Sequence, residues 1–425
     1  MLTQEENQLL TQVGLGTPTG EYIRRYWIPV LLSADLPGPD SDPLRVKILG
    51  EELVAFRDTN GVIGLIDNYC PHRRASMFFG RNEECGLRCV YHGWKFDIDG
   101  NCVDMPSEPA ESNFKDKVKV AAYPVEERGG LVWAYMGPAD KKPPMPELEY
   151  FGLPDSHSYV YKHIQESNFI QLVEGEIDSS HVGFLHSNLD EPVTSKTATN
   201  WYLKYRSGDR SPKFFIRETP YGVLIGARRA AEVDSYYWRV TQWLAPFYTM
   251  IPRAPEDALN FRAWVPIDDE STWAFQVSAN PFRPLNEAEL EKFAGSVNEL
   301  VPGTHRLTLN KDNDYMLDRE MQCNVNYTGI PLQPVRMGRG QDGAMTESMG
   351  RVVDRSKEHL GTSDSAIIAV RRSLLREVRD FQEGVEPNAA NHGEVYRVRS
   401  GSAVLPHEVP FDEGEQAQAE GFVLA

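Results

Sequence analysis

Between Leu44 and Gly137 the apolar residues fall in short runs, "LRVKILG", "ELVAFRD", "VIGLIDNY" and "GGLVWAYMG", separated by turn residues such as Asp-Thr-Asn-Gly at 58–61 and Asp-Gly at 99–100. Runs this short, bounded this way, predict a small all-β domain. The stretch "PADKKPPMPELEYFGLP", residues 138–154, is rich in proline and charge and reads as a linker or surface crossing. Beyond it the pattern changes. Residues 164–186 carry a helical period and 200–282 return to strand-like runs, while 286–320 and 363–382 read as helices. Strands and helices therefore come in blocks, which predicts an α+β domain on an antiparallel sheet rather than alternating α/β. The polar tail after Glu383 is expected to be irregular. The predicted organisation is an N-terminal helical segment over 1–40, an all-β domain over 41–145 and a larger α+β domain over 146–425.

Composition narrows the class. With 425 residues, 41% hydrophobic and 25% charged, the chain has the make-up of a soluble globular protein of two or three domains. The N-terminus has neither a basic nor an apolar signal region, and no uncharged apolar run reaches about eighteen residues, so a cytoplasmic protein is expected. Lys plus Arg is 44 against 62 for Asp plus Glu, a net charge of −18. That excess argues against nucleic acid or anionic membrane as a partner, although an acidic face could dock a basic redox protein. Cys70, Cys85, Cys89, Cys102 and Cys323 are odd in number and unevenly spaced, a poor disulfide framework and a better metal-binding set.

The candidate chemistry is concentrated in two stretches. In "CPHRRASMFFGRNEECGLRCVYHGWKF", from Cys70, two loops each offer one thiol and one imidazole: Cys70 with His72, and Cys89 with His92. Zinc would accept such a Cys2His2 set, but zinc fingers pair Cys with Cys and His with His. A [2Fe–2S] cluster with cysteines on one iron and histidines on the other needs the mixture. Cys85 and Cys102 lie outside this spacing and read as packed small hydrophobes. In "NFIQLVEGEIDSSHVGFLH", Asp178 and His181 would share a helical face, about 60° apart, whereas His181 and His186 would diverge by about 140°. Both imidazoles reach one metal only if the helix breaks between them, with Gly183 a permissive site. Otherwise this is a helix bearing two unrelated histidines.

The pattern C-x-H-x16-C-x2-H-G-W, with strand-rich flanks, resembles the Rieske family. The second cysteine pair of respiratory Rieske proteins is absent, since Arg-Arg-Ala follows His72 and Val-Tyr separates Cys89 from His92. Together with D-x2-H-x4-H at Asp178, His181 and His186, it resembles the Rieske non-haem iron oxygenases from about Glu21 to Arg379. The resemblance implies an N-terminal Rieske domain and a catalytic domain whose mononuclear Fe(II) is held by two histidines and a carboxylate, with open positions for O2. Asp312, Asp314, Asp318, Glu320, Asp342 and Glu347 compete for the carboxylate. The family motif, acid or Gln then Asp with Glu five residues on, is met by "GRGQDGAMTES" and selects Asp342, a solvated loop being the alternative for that stretch. It also casts Asp178 as a bridge between His181 and His92 of a neighbouring subunit, and hence implies a homotrimer or a dimer of trimers. Asn168 matches an asparagine near the iron, or caps the helix.

"ESMGRVVDRSKEHLGTSDSAIIAVRRSLL" is similar to the phthalate dioxygenase branch, which hydroxylates or demethylates aromatic carboxylates. That implies the terminal oxygenase of a multicomponent system, oxidising an aromatic acid such as phthalate or a related benzoate, with dihydroxylation expected first. O-demethylation or monooxygenation is the alternative, and a Rieske electron-transfer protein the rival class. Electrons would come from NADH through a separate reductase carrying FMN and its own [2Fe–2S] cluster, since no strand-linked G-x-G-x-x-G occurs here. For an anionic substrate, Arg206, Arg210 and Arg239, with Ser179 beside the iron helix, are the candidate contacts.

Overall fold

The computed structural model describes residues 2–109, 111–189, 203–252, 259–295, 299–332 and 338–412. It divides into two compact units, Val13–Pro143, and Met1–Gln12 with Pro144–Ala425. The segment expected over 1–40 is thus no unit of its own. Its first helix, Gln4–Thr11, belongs with the second unit because its side chains bond there: Asn7 Nδ2 donates to Val353 O at 2.9 Å and Arg379 pairs with Glu6 at 2.9 Å. The rest, including strand β1 (Trp27–Leu32), belongs to the first unit.

In Val13–Pro143 the short apolar runs form strands as their alternation implies. β2 (Leu44–Ile48), β3 (Glu51–Arg57) and β4 (Ile63–Asp67) make one three-stranded antiparallel sheet. β2 and β3 are joined by Leu49 and Gly50, both left-handed, the two-residue turn that matches strand twist. Four two- or three-residue strands, β5 (Arg81–Asn82), β6 (Leu87–Arg88), β7 (Lys95–Phe96) and β8 (Cys102–Asp104), make a second sheet. β1, β10 (Leu131–Tyr135) and β9 (Val125–Arg128) make a third, in the order β1-β10-β9. Between the first two sheets lies a core in which Phe56, Ile66, Met77, Leu87 and Phe96 pack with Cys70, Cys89 and Cys102. Cys85 is not a core residue as expected. It is half-buried, in left-handed backbone, and its sulfur accepts from Asn60 Nδ2 at 3.1 Å.

The second unit is built on an eight-stranded antiparallel sheet. Its strands are β11 (Ser158–Gln165), β12 (Lys213–Thr219), β13 (Gly222–Ala230), β14 (Ser235–Leu244), β15 (Tyr248–Met250), β16 (Leu259–Pro266), β17 (Thr272–Ala279) and β18 (Gly401–Pro406). The order is β11-β17-β16-β15-β14-β13-β12, with β18 on the first half of β14. The tail expected to be irregular therefore supplies a strand. β16 and β17 are buried along almost their whole length, so both sheet faces are covered. Helix Phe169–Ile177 packs on β14, β15 and β16, and helix Ser365–Gln382 on β12 and β13. Among the described residues no helix is long and apolar enough to cross a membrane.

Two helical expectations need correction. Over 286–320 the described residues form one helix at Glu287–Ala294, started by an Asn286–Glu289 capping box, and a second begins only at Arg319. "KDNDYM" is a kinked turn with Asp314 and Tyr315 in left-handed backbone. Conversely, "RGQDGAMTES" is not a loop but the helix Arg339–Ser348.

Candidate functional site

The two Cys/His loops are copies of one local design. Cys70 N donates to Ala75 O and Arg74 N to Cys70 O; Cys89 N donates to Trp94 O and Gly93 N to Cys89 O, all at 2.8–2.9 Å. The residue that closes each turn, Arg74 or Gly93, is left-handed. At Gly93 a Cβ would also lie 2.7 Å from Pro106 Cγ. Each turn leaves its cysteine at the buried base and its histidine toward the tip. Cys70 and Cys89 are 2% and 3% exposed, and the nearness of the two sulfurs draws the Cys89 thiol down while raising Cys70. The rings of His72 and His92 meet at 4.3 Å, and His72 stacks on Trp94 at 4.5 Å. A thiol pair and an imidazole pair result, and the four groups do not converge on one point: the one described group of three or more ligand residues lying within 4.8 Å of one another is elsewhere. Two separate pairs suit a two-iron cluster and not a single tetrahedral zinc.

That converging group is His181, His186 and Asp342. Its geometry begins with Asp178, where helix Phe169–Ile177 stops. The Asp178 carboxylate accepts from Ser180 N at 2.6 Å and His181 N at 3.2 Å, bonds that compete with continuing the helix. The expected break thus falls before His181 and not at Gly183, whose backbone is not left-handed. A short 3₁₀ turn, His181–Gly183, then returns the chain so that His186 faces His181, ring centroids 5.2 Å apart. Asp342 stands in the first turn of helix Arg339–Ser348, its Oδ1 3.1 Å from His186 Nε2 and 3.7 Å from His181 Nε2. Gly338 begins this helix at φ +79°, and a Cβ there would sit 2.6 Å from His186 Nδ1, so only glycine lets the backbone pass this histidine.

Both imidazoles are oriented from behind. His181 Nδ1 lies 3.4 Å from Asp178 Oδ2, and His186 Nδ1 lies 2.8 Å from Gln341 Oε1. Gln341 Nε2 donates to Ile330 O, which can only accept, and to Thr328 Oγ1. The amide oxygen must therefore face His186, and His186 carries its proton on Nδ1. Nε2 of each ring is left for a metal. Burial opposes charge on His186 and Asp342, but each outweighs it for the other: Asp342 raises His186 and is itself held below the usual carboxylate range. Three of the competing acids are used elsewhere, and Asp314 and Glu320 are not part of the converging group. Asp312 pairs with Arg306, Asp318 caps helix Arg319–Asn324, and Glu347 accepts from Glu166 N and Tyr315 OH.

The triad opens on a cavity of about 540 Å³ in the second unit. Leu172, Val182, Ile251, Trp264 and Phe275 give it apolar walls, and Arg206 and Arg239 line it as expected. Arg210 does not: it is exposed and lies over the Phe184 ring. Ser179 is buried behind the lining, its Oγ within 3.1 Å of Arg239 Nε and 3.2 Å of Arg229 Nη1. Arg229 was not foreseen. It is 1% exposed, and burial together with Arg239 lowers its guanidinium to about 9. Among the described residues neither Arg229 nor Arg239 has a carboxylate in ion-pair contact, and the charge of Asp209 offsets the burial of Arg229 only in part. Asn168 is the helix cap and does not line the cavity: its oxygen accepts from Ile170 N, and its nitrogen donates to Thr11 O and Asp269 O.

Glu176, Arg262 and Gln341 also escaped sequence reasoning. Glu176 and Arg262 form an ion pair on the cavity wall, and burial raises the Glu176 carboxyl against the pull of Arg262. Only Gln341 had a signal, its place before Asp342 in the quoted motif.

Residues 26–124 match the family described as the Rieske [2Fe-2S] domain, and residues 134–421 match the one described as LigXa C-terminal domain like. The chain is 37% identical, over 100% of both chains, to the 3-chlorobenzoate-3,4-dioxygenase oxygenase subunit of Comamonas testosteroni. It is 41% identical to the phthalate 4,5-dioxygenase oxygenase subunit of Pseudomonas putida, over 90% of this chain and 88% of that one. The crystal structure of dicamba monooxygenase bound to dicamba shares the fold, with a TM-score of 0.60 and 18% identity over 85% of this chain and 99% of that one.

Proposed function

The chain belongs to the Rieske non-haem iron oxygenases as an oxygenase subunit, and on that premise we propose that it is the terminal component of a system that dihydroxylates an aromatic carboxylate, phthalate or a related benzoate. One observation carries the reading: the cavity that holds His181, His186 and Asp342 also holds Arg206 and Arg239. Cys70, His72, Cys89 and His92 hold the [2Fe–2S] cluster, and the triad holds Fe(II). When bound, these groups supply single electrons and open coordination positions for O2.

The chain's own residues then do three things. Asp178 and Gln341 keep Nδ1 of the two imidazoles occupied, so Nε2 of each is presented to the metal. Arg206 and Arg239 pair with the substrate carboxylate. Leu172, Val182, Trp264 and Phe275 clasp the ring beside the triad and exclude water. Asp178 additionally bridges to a Rieske histidine of a neighbouring subunit in a homotrimer or a dimer of trimers, and electrons reach the cluster from NADH through a separate FMN and [2Fe–2S] reductase.

The test is to reconstitute the chain with such a reductase and follow NADH and O2 consumption, with product identification, over a panel of aromatic acids and their neutral amides. Acids are consumed and yield cis-diols, and the amides are not. Equal turnover of the amides removes the carboxylate reading, and phenols or demethylated products replace dihydroxylation by monooxygenation. Iron analysis is expected at about three per chain, and light scattering decides the assembly.

A further inference from the structure

We infer that the cavity wall made by Glu176, Arg262, His163 and Gln165 is a second recognition point, built for a ring substituent that donates a hydrogen bond, a hydroxyl or an amino group, on the same aromatic acid. This rests on the aromatic-acid reading above and adds to it a second polar substituent on the substrate.

The sheet places these groups by its period of two. His163 and Gln165 alternate along β11, and Arg262 and Trp264 along β16, with β17 between them. Register sets Ala274 of β17 opposite both His163 and Trp264, and Gln276 opposite Arg262. A small residue thus stands in the middle of the row and leaves room beside the polar ones. Glu176 reaches the same wall from helix Phe169–Ile177 and pairs with Arg262 through Oε2.

These side chains are more than nine-tenths buried, yet their hydrogen bonding is incomplete. Glu176 Oε1, Arg262 Nε, His163 Nδ1 and Gln165 Oε1 are buried with no partner among the described residues. Each unmet buried group costs about 1–3 kcal/mol, and these four gather on one wall of one cavity, where an entering group can reach them. The wall is therefore completed by what enters the cavity. An unsubstituted ring would leave all four unmet. A second carboxylate would bring its charge against Glu176. A hydroxyl or amino group donates to Glu176 Oε1, and a hydroxyl oxygen also accepts from a donor such as Arg262 Nε.

This wall is distinct from the carboxylate contacts. Arg239 lies on β14 and Arg262 on β16, with β15 between them, and Arg262 stands opposite Thr249 and, beyond it, Trp243, four residues along β14 from Arg239, so the two are separated both across and along the sheet. A ring lodged in the cavity can face one with its carboxylate and the other with a substituent.

The experiment is calorimetric binding to the holoprotein without reductase, using benzoate, the three monohydroxybenzoates and their methyl ethers. At least one hydroxybenzoate is expected to bind tenfold or more tighter than benzoate, as a hydrogen bond to a charged group implies, and its methyl ether loses the gain. In Glu176→Gln the amide oxygen stays with Arg262 and its NH2 replaces the acceptor, so the gain falls below threefold while benzoate still binds. Visible absorption of the cluster reports folding of the variant, and the wild-type comparison decides alone if the variant does not fold. Binding of benzoate and all three hydroxybenzoates within twofold of one another overturns the second recognition point and leaves the aromatic-acid reading standing. A gain that persists in Glu176→Gln also overturns it. If no benzoate binds at all, the aromatic-acid reading fails, and this inference with it.

Discussion

Replacing Gln341 by leucine tests how the mononuclear site is held, because the two side chains are close in size and differ mainly in the acceptor offered to His186. Gln341 Oε1 is the partner of His186 Nδ1 at 2.8 Å, and its amide is locked by Thr328 and Ile330. Leucine leaves the His186 N–H buried without an acceptor and lets the ring turn or change tautomer, so that Nε2 is no longer committed to the metal. Loss of such a partner weakens metal binding by about 10–100-fold, or about 1.4–2.7 kcal/mol. Ile330 O and Thr328 Oγ1 lose a donor as well, so the second unit is also expected to be less stable, by about 1–3 kcal/mol. The assay is iron retention after dialysis against graded chelator, with visible absorption of the cluster as an internal control in the same sample. Half-removal of mononuclear iron is expected at ten- to hundredfold lower chelator, with the cluster spectrum unchanged. Retention within twofold of the wild type would refute the orienting role assigned to Gln341.

Asp342→Ala removes the one carboxylate of the converging group and should abolish turnover with the cluster spectrum intact; retained activity assigns the ligand elsewhere. Asp178→Asn should slow reduction of the mononuclear site in rapid mixing without releasing iron, and a wild-type rate dismisses the bridge. Glu174 supplies a pH dependence. Burial pushes its carboxyl up, but Arg355 and Arg371 outweigh that and hold it below the 4.5 of an unperturbed glutamate. The unfolded chain therefore binds more protons between the two values, and the stabilisation is complete above about pH 4.5 and is lost as pH falls through the lower, folded value. Glu174→Gln, which leaves buried Arg355 without its carboxylate at a cost of about 3–5 kcal/mol while Arg371 keeps Glu358, should show a flatter fall of melting temperature from pH 5 to pH 3. Parallel curves would contradict this.

The parts legible in sequence were those where chemistry or period is local. β2, β3, β4 and β10 follow from short apolar runs, and the proposed cluster ligands follow from spacing because each loop must offer both atom types. Tertiary contact decided the rest. Helix Arg339–Ser348 contains Gly340 and Gly343, poor helix formers, which are in place because a Cβ at Gly340 would strike Leu309 at 2.8 Å and one at Gly343 would crowd Gln165 at 3.2 Å. Arg228 and Arg229 are neighbours on β13, yet the first stacks on Phe215, Tyr236 and Trp238 while the second reaches Ser179. Which of two adjacent arginines faces the site depends on strand register, and register is set by partners that composition does not reveal.

The partners of helix Gln4–Thr11 have a consequence for how the chain comes off the ribosome. Asn7 waits for Val353, 346 residues later. At about 5–20 residues per second that is a delay of roughly 17–70 s. Eight residues are too few to hold a helix alone in water, so the segment stays open to proteases and chaperones while the interior of Val13–Pro143 is already complete. Helix Gln4–Thr11 is thus held by residues made 346 positions later.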